Sequence, residues 1–90
     1  MVQIFFIYAD NCKHCRAALL VIESAIAKLP KISCKILTFL YDTKEALLIA
    51  SNKGIDDVPG IVIGNDVYIG KEYSEEQIVK SIVKASKQHE

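Results

Sequence analysis

Apolar and polar positions along the chain change rhythm several times, and each change marks an element. Val2-Gln3-Ile4-Phe5-Phe6-Ile7-Tyr8 is a nearly continuous run of β-branched and aromatic residues. Such a run suits a strand covered on both faces of a sheet. Asp10-Asn11 breaks it and offers cap oxygens to a following helix. From Cys15 the apolar positions fall at Ala18, Leu19, Ile22, Ile26 and Leu29, and Pro30 ends the pattern. Spacings of three and four place these residues on one stripe of a helix.

A second strand is expected from Ile32 to Leu40, where Ile32, Cys34 and Ile36 alternate with polar neighbours before the run turns fully apolar. Asp42, three residues before Glu45, has the spacing of a capping box. It would open a short helix that closes at Gly54, a candidate left-handed cap. Val58 to Ile63 and Val67 to Ile69 read as strands of a hairpin turning at Gly64-Asn65-Asp66. Ser74-Glu75-Glu76-Gln77 is a second capping box, leading into Ile78, Val79, Ile82 and Val83. The order is βαβαββα. The early crossover requires a parallel pair and the late hairpin adds antiparallel strands. The expected fold is therefore α/β, a four-stranded mixed sheet with helices on both faces, in a single domain over residues 1–90.

Composition narrows the function. The chain has 90 residues, 51% hydrophobic and 24% charged, as in a globular domain. Eleven basic residues balance eleven acidic ones, so the strong field of a dedicated nucleic-acid binder is missing. No apolar run approaches the roughly 20 residues of a membrane span, and Val2 to Ala9 lacks the basic flank of a signal peptide. Three cysteines are too few, and odd in number, for a disulfide-stapled secreted scaffold. The expectation is a cytoplasmic monomer with no nucleic-acid or membrane partner.

Cys12-Lys13-His14-Cys15 falls where the first strand gives way to the first helix. A C-x-x-C beside a βαβ pattern points to redox chemistry. Two intervening residues let both thiols share one helical turn. The unpaired N–H groups and positive dipole end of a helix lower the pKa of a thiol placed there. Cys12 is expected exposed and largely thiolate, the nucleophile. Cys15 lies on the apolar stripe and is expected buried, the resolving thiol. Lys13 and His14 bring positive charge beside the thiolate, which favours the reduced form and hence a more oxidising pair. A closed zinc site wants four ligands, and His14, Cys34, His89 and the carboxylates are the only obvious additional donors, so no metal is expected. Cys34 is expected to be a small buried hydrophobe. Tyr8, just before the motif, is a candidate wall of the site. Lys80, Lys84 and Lys87 form a solvated stripe, with Glu76 four residues before Lys80.

The C-x-x-C after the first strand, the Val58-Pro59 pair and the Gly70 turn before the last helix together resemble the thioredoxin-fold superfamily, nearest the small glutaredoxins. The likeness covers almost the whole chain. It implies that Pro59 is cis and lies opposite the cysteines, and that Val58 offers its backbone to a cysteine-containing peptide or to glutathione. Asp57, Val58, Pro59, Gly70 and Tyr8 are the substrate-binding candidates on this reading.

Departures from the family pattern bear on substrate. Lys13-His14 stands where glutaredoxins commonly carry Pro-Tyr, and Ala9 where they often carry a lysine. Asp57-Val58-Pro59 stands for Thr-Val-Pro, and Gly70-Lys71 for Gly-Gly. Asp56 and Asp57 would repel anionic glutathione, with Lys13 and Lys71 able to compensate. There is no tryptophan, and Phe6 takes the place of the buried aspartate of thioredoxins. The resemblance implies a thiol–disulfide oxidoreductase acting on a disulfide-containing protein, with no tightly bound cofactor. Its electrons would come from glutathione or a flavoprotein reductase. Two alternatives stay open: a glutathione-assisted bridge for an iron–sulfur cluster, and a redox-inactive adaptor.

Overall fold

The structure, a computed structural model, describes residues 1–71 and 73–88, so His89 lies outside the described residues. The elements run β1 (Val2–Tyr8), α1 (Lys13–Ala27), β2 (Cys34–Leu40), α2 (Lys44–Lys53), β3 (Gly60–Ile63), β4 (Asp66–Ile69) and α3 (Glu75–Lys87). This is the βαβαββα order expected from the patterning. The sheet order is β2-β1-β3-β4. The β1–β2 pair is parallel, with Val2 opposite Cys34 and Tyr8 opposite Leu40. The β1–β3 and β3–β4 pairs are antiparallel.

Central position explains the apolar density of β1 and β3. Every residue of β3 is buried, and Val2, Ile4, Phe6 and Ile7 of β1 are buried with it. Side chains alternate across the sheet. Val2, Ile4, Phe6, Ile61 and Ile63 meet Cys15, Ala18, Ile22, Ala25, Ile78 and Ile82 of α1 and α3 on one face. Ile7 and Val62 meet Ala46 of α2 and Ile55 on the other. Helices therefore cover both faces, α1 and α3 one of them and α2 the other.

Several local expectations need correction. The cap of α1 is neither Asp10 nor Asn11 but Cys12 itself, whose sulfur accepts the Cys15 N–H. Asn11 instead takes φ 55°, a left-handed conformation that asparagine tolerates, and turns the chain into the helix. The cap of α2 is Thr43 and not Asp42: Thr43 Oγ1 accepts the Ala46 N–H at 3.3 Å and donates to Leu40 O at 2.7 Å. Gly54 does close α2, at φ 69°. The second strand starts at Cys34, two residues after the expected Ile32, and the third at Gly60, not Val58. The Ser74 capping box is complete. Lys28, at the end of α1, pairs with Glu75 at the start of α3 and holds that carboxyl below its usual range. Lys80 pairs with Glu76 at 3.4 Å, as the spacing suggested.

Ser81 is a feature that the hydrophobic pattern missed. It is a buried polar residue inside the apolar face of α3. Its hydroxyl donates to Asp66 Oδ2 at 2.7 Å and meets the Tyr68 hydroxyl, joining α3 to the β3–β4 hairpin.

Candidate redox site at the start of the first helix

The site begins with the chain's passage from β1 into α1. Asp10-Asn11 turns the backbone, Cys12 caps the helix, and Arg16 N–H closes the first helical hydrogen bond on Cys12 O at 3.2 Å. One turn brings Cys15 under Cys12: the two Cα atoms are 5.2 Å apart and the sulfurs are joined as a disulfide. Cys12 is half-exposed and Cys15 is 4% exposed. The Cys15 N–H points at Cys12 Sγ from 3.1 Å. In the reduced protein a thiolate at this position would keep that donor and the other free N–H groups of the first turn. Lys13 and His14 are both exposed, so their charges reach the pair only through solvent.

A cavity of about 290 Å³ opens on the pair. Its walls include Tyr8, Asp10, Arg16, Leu19 and Thr38 besides the two cysteines. Tyr8 stacks on Phe6, with ring centroids 6.2 Å apart, so an aromatic wall backs the sulfurs. Tyr8, the candidate wall residue, thus stands beside the two cysteines on this cavity. Arg16 and Thr38 were not anticipated. Arg16 directly follows the motif but lies off the apolar stripe, so the hydrophobic pattern gives it no role. Thr38 reaches the site only through the β1–β2 register, which pairs it with Phe6.

The second group of candidates gathers at the neighbouring strand. Val58-Pro59 is cis, and Pro59 is fully buried. Ile7 pairs with Gly60, so Pro59 enters the sheet beside the end of β1 that leads to Cys12. Gly70, at φ 70°, donates its N–H to Pro59 O at 2.8 Å. Asp57 Oδ1 accepts the Val58 N–H at 2.8 Å. Asp57 and Gly70 line a shallow cleft with Asp56 and Lys71. Asp57 and Val58 also rim a groove of about 400 Å³ floored by Ile7, Ala50 and Ile55, with Tyr41 and Leu47 along it. The cysteine cavity and this groove are separate openings.

Cys34 corrects another expectation. It is half-buried, on the edge strand β2, and not a core residue. Burial still pushes its thiol above the ordinary value, and Val2 opposite it puts it at the far end of β1 from Cys12. Among the described residues no three His, Cys, Asp or Glu side chains gather to hold a metal ion. No helix among them is long and apolar enough to cross a membrane.

No family model matches the chain, and no curated protein matches its sequence. Solved structures do match its fold. A thioredoxin of Malassezia sympodialis aligns at a TM-score of 0.62 and 22% identity, over 94% of this chain and 75% of that one. Thioredoxin-2 of the malaria parasite aligns at 0.61 and 18% identity, over 93% and 82%. A further malarial protein aligns at 0.62 and 18% identity, over 94% and 97%. The chain has the thioredoxin fold.

Proposed function

We propose that this thioredoxin-fold chain is a thiol–disulfide oxidoreductase working through Cys12 and Cys15. The observation that carries the reading is the Cys12–Cys15 disulfide at the first turn of α1, with one sulfur reachable and the other buried. In the reduced protein, Cys12 thiolate attacks one sulfur of a substrate disulfide. The substrate S–S bond breaks, a mixed disulfide forms, and the departing thiolate takes a proton. Cys15, deprotonated, then attacks Cys12 Sγ and releases the second substrate thiol. Two electrons pass to the substrate, and the Cys12–Cys15 disulfide is left. Glutathione or a flavoprotein reductase returns the electrons.

Each element has a role that follows from position. The N–H groups at the start of α1 hold charge on Cys12. Burial of Cys15 keeps it from competing for the substrate. Val58 and Pro59, just before β3, present backbone to an extended segment carrying the disulfide. Lys13 and His14, acting through solvent, favour the thiolate form weakly and nudge the pair toward the oxidising side of the thioredoxin range. A cytoplasmic location suits a pair that is cycled by cellular thiols.

A redox titration in glutathione buffers tests this, with acid quench, alkylation and mass readout. The expected result is a reversible two-electron Cys12–Cys15 transition between about −270 and −120 mV. A pair that stays reduced across the whole range would overturn the reading.

A further inference from the structure

The backbone donor that an incoming strand needs is already taken. Asp57 Oδ1 accepts the Val58 N–H at 2.8 Å. Asp57 Oδ2 leans over the neighbouring turn, 4.0 Å from where a Cβ on Gly70 would stand. The carboxylate therefore covers the start of β3 between the acidic cleft and the apolar groove. An extended peptide pairing with Val58 must replace this charged acceptor with its own neutral carbonyl, the weaker of the two bonds. The exchange is unfavourable unless the displaced carboxylate finds a new partner. Asp57 and Asp56 are both exposed, and neither has an ion pair among the described residues. A cation on the incoming chain would supply that partner.

The groove beside Val58 supports the same choice of substrate. It continues from Val58 over Ile7 to Ala50 and Leu47, with Leu47 59% and Tyr41 52% exposed. Its apolar length suits a polypeptide side chain next to the reactive cysteine. Glutathione carries two carboxylates against one ammonium and has no apolar side chain to fill the groove.

Resting on the oxidoreductase reading, we propose that Asp57 is a specificity-determining residue. Its carboxylate yields the Val58 N–H to polypeptide disulfides bearing Lys or Arg beside the reactive cysteine, in preference to acidic ones and to glutathione disulfide.

The test is single-turnover reduction by pre-reduced protein of two peptide disulfides, identical except for Lys or Glu next to the cysteine, and of glutathione disulfide. Wild type is expected to reduce the Lys peptide about five-fold faster than the Glu peptide, the scale of one exposed ion pair. Arg16 on the cysteine cavity and Lys71 in the acidic cleft both favour the Glu peptide, so a Lys preference isolates the carboxylates of the site. Asp57→Asn keeps an oxygen for Val58 N–H but removes the charge, and Asp57→Ala frees the donor. Both are expected to bring the ratio to one or below, and Asp57→Ala to speed the Glu peptide. Both rates are read on one protein sample, so any loss of folded fraction cancels in the ratio. A wild-type ratio at or below one, or a ratio kept in Asp57→Asn, overturns the proposal while leaving the oxidoreductase standing. Failure to exchange with any of the three disulfides overturns the oxidoreductase reading and this proposal with it.

Discussion

The backbone N–H of Cys15 points at the sulfur of Cys12 from 3.1 Å, so Cys12 caps the helix through the backbone of its own disulfide partner. Burial and hydrogen bonding then act oppositely on the two thiols of the reduced protein. Once the disulfide is reduced, donors at the helix start would favour charge on Cys12 and the apolar surroundings would disfavour it on Cys15, as burial already does at Cys34. At neutral pH, iodoacetamide is expected to label Cys12 at least about ten-fold faster than Cys34 or Cys15, since each unit of pKa is ten-fold in thiolate. Equal rates at Cys12 and Cys15, followed by peptide mass analysis, would remove the division of labour between them.

The two hydroxyl and carboxyl side chains before α2 make a second contrast. Thr43 Oγ1 holds the Ala46 N–H and Leu40 O together, whereas Asp42 is exposed. Thr43→Ala is expected to lower unfolding stability by about 1 kcal/mol, the usual cost of a lost cap. Asp42→Ala should stay within about 0.5 kcal/mol of wild type. Urea unfolding of the two variants decides between the caps, and the reverse order of losses would restore Asp42.

That contrast shows where sequence reading stops. Asp42 and Thr43 are adjacent and both are good caps, and only the backbone angle at which the chain leaves β2 selects one. The order of elements was legible because its punctuation is local: Asp10-Asn11, Pro30, Gly54 and the Ser74 box each act within a few residues. Cys12 and Cys15 were legible for the same reason. Cys34 was misplaced because strand order is a tertiary fact, and alternation does not say that β2 lies at an edge. Ser81 was hidden because its partner Asp66 is 15 residues away. The cover of Asp57 on Val58 depends on a side-chain rotation, which no pattern of residue types records.

Close packing behind the site makes Gly60 sensitive. A Cβ there would stand 2.8 Å from Ile55 Cγ2 and 3.7 Å from Ile7 Cβ. Ile55 is β-branched and nearly buried, so its methyl cannot swing aside freely. Gly60→Ala is expected to cost about 1–3 kcal/mol by overpacking. Gly54→Ala meets nothing within 4 Å and is expected to cost only the smaller left-handed backbone penalty, about 1 kcal/mol. Thermal or urea unfolding that ranks Gly54→Ala as the worse variant would contradict the packing around β3.

Asp66 ties stability to pH. The Ser81 hydroxyl holds its carboxyl below the ordinary value; burial opposes that pull, and Lys84 at 3.3 Å adds a smaller one in the same direction as Ser81. The fold therefore favours the ionised form. Its contribution is complete above the unfolded carboxylate value of about 3.9 and is lost as pH falls through the lowered folded value. Asp66→Asn removes that contribution at every pH. The stability gap between wild type and Asp66→Asn is expected at about 1 kcal/mol at pH 7, in keeping with hydrogen bonds to a part-exposed carboxylate. It should narrow only below about pH 4. Ser81→Ala leaves Asp66 without its main donor and should shrink the acid-labile part of the gap. Urea unfolding from pH 7 to pH 2.5 measures it, and a gap that is constant through that window would mean that Asp66 titrates alike in the folded and unfolded chains.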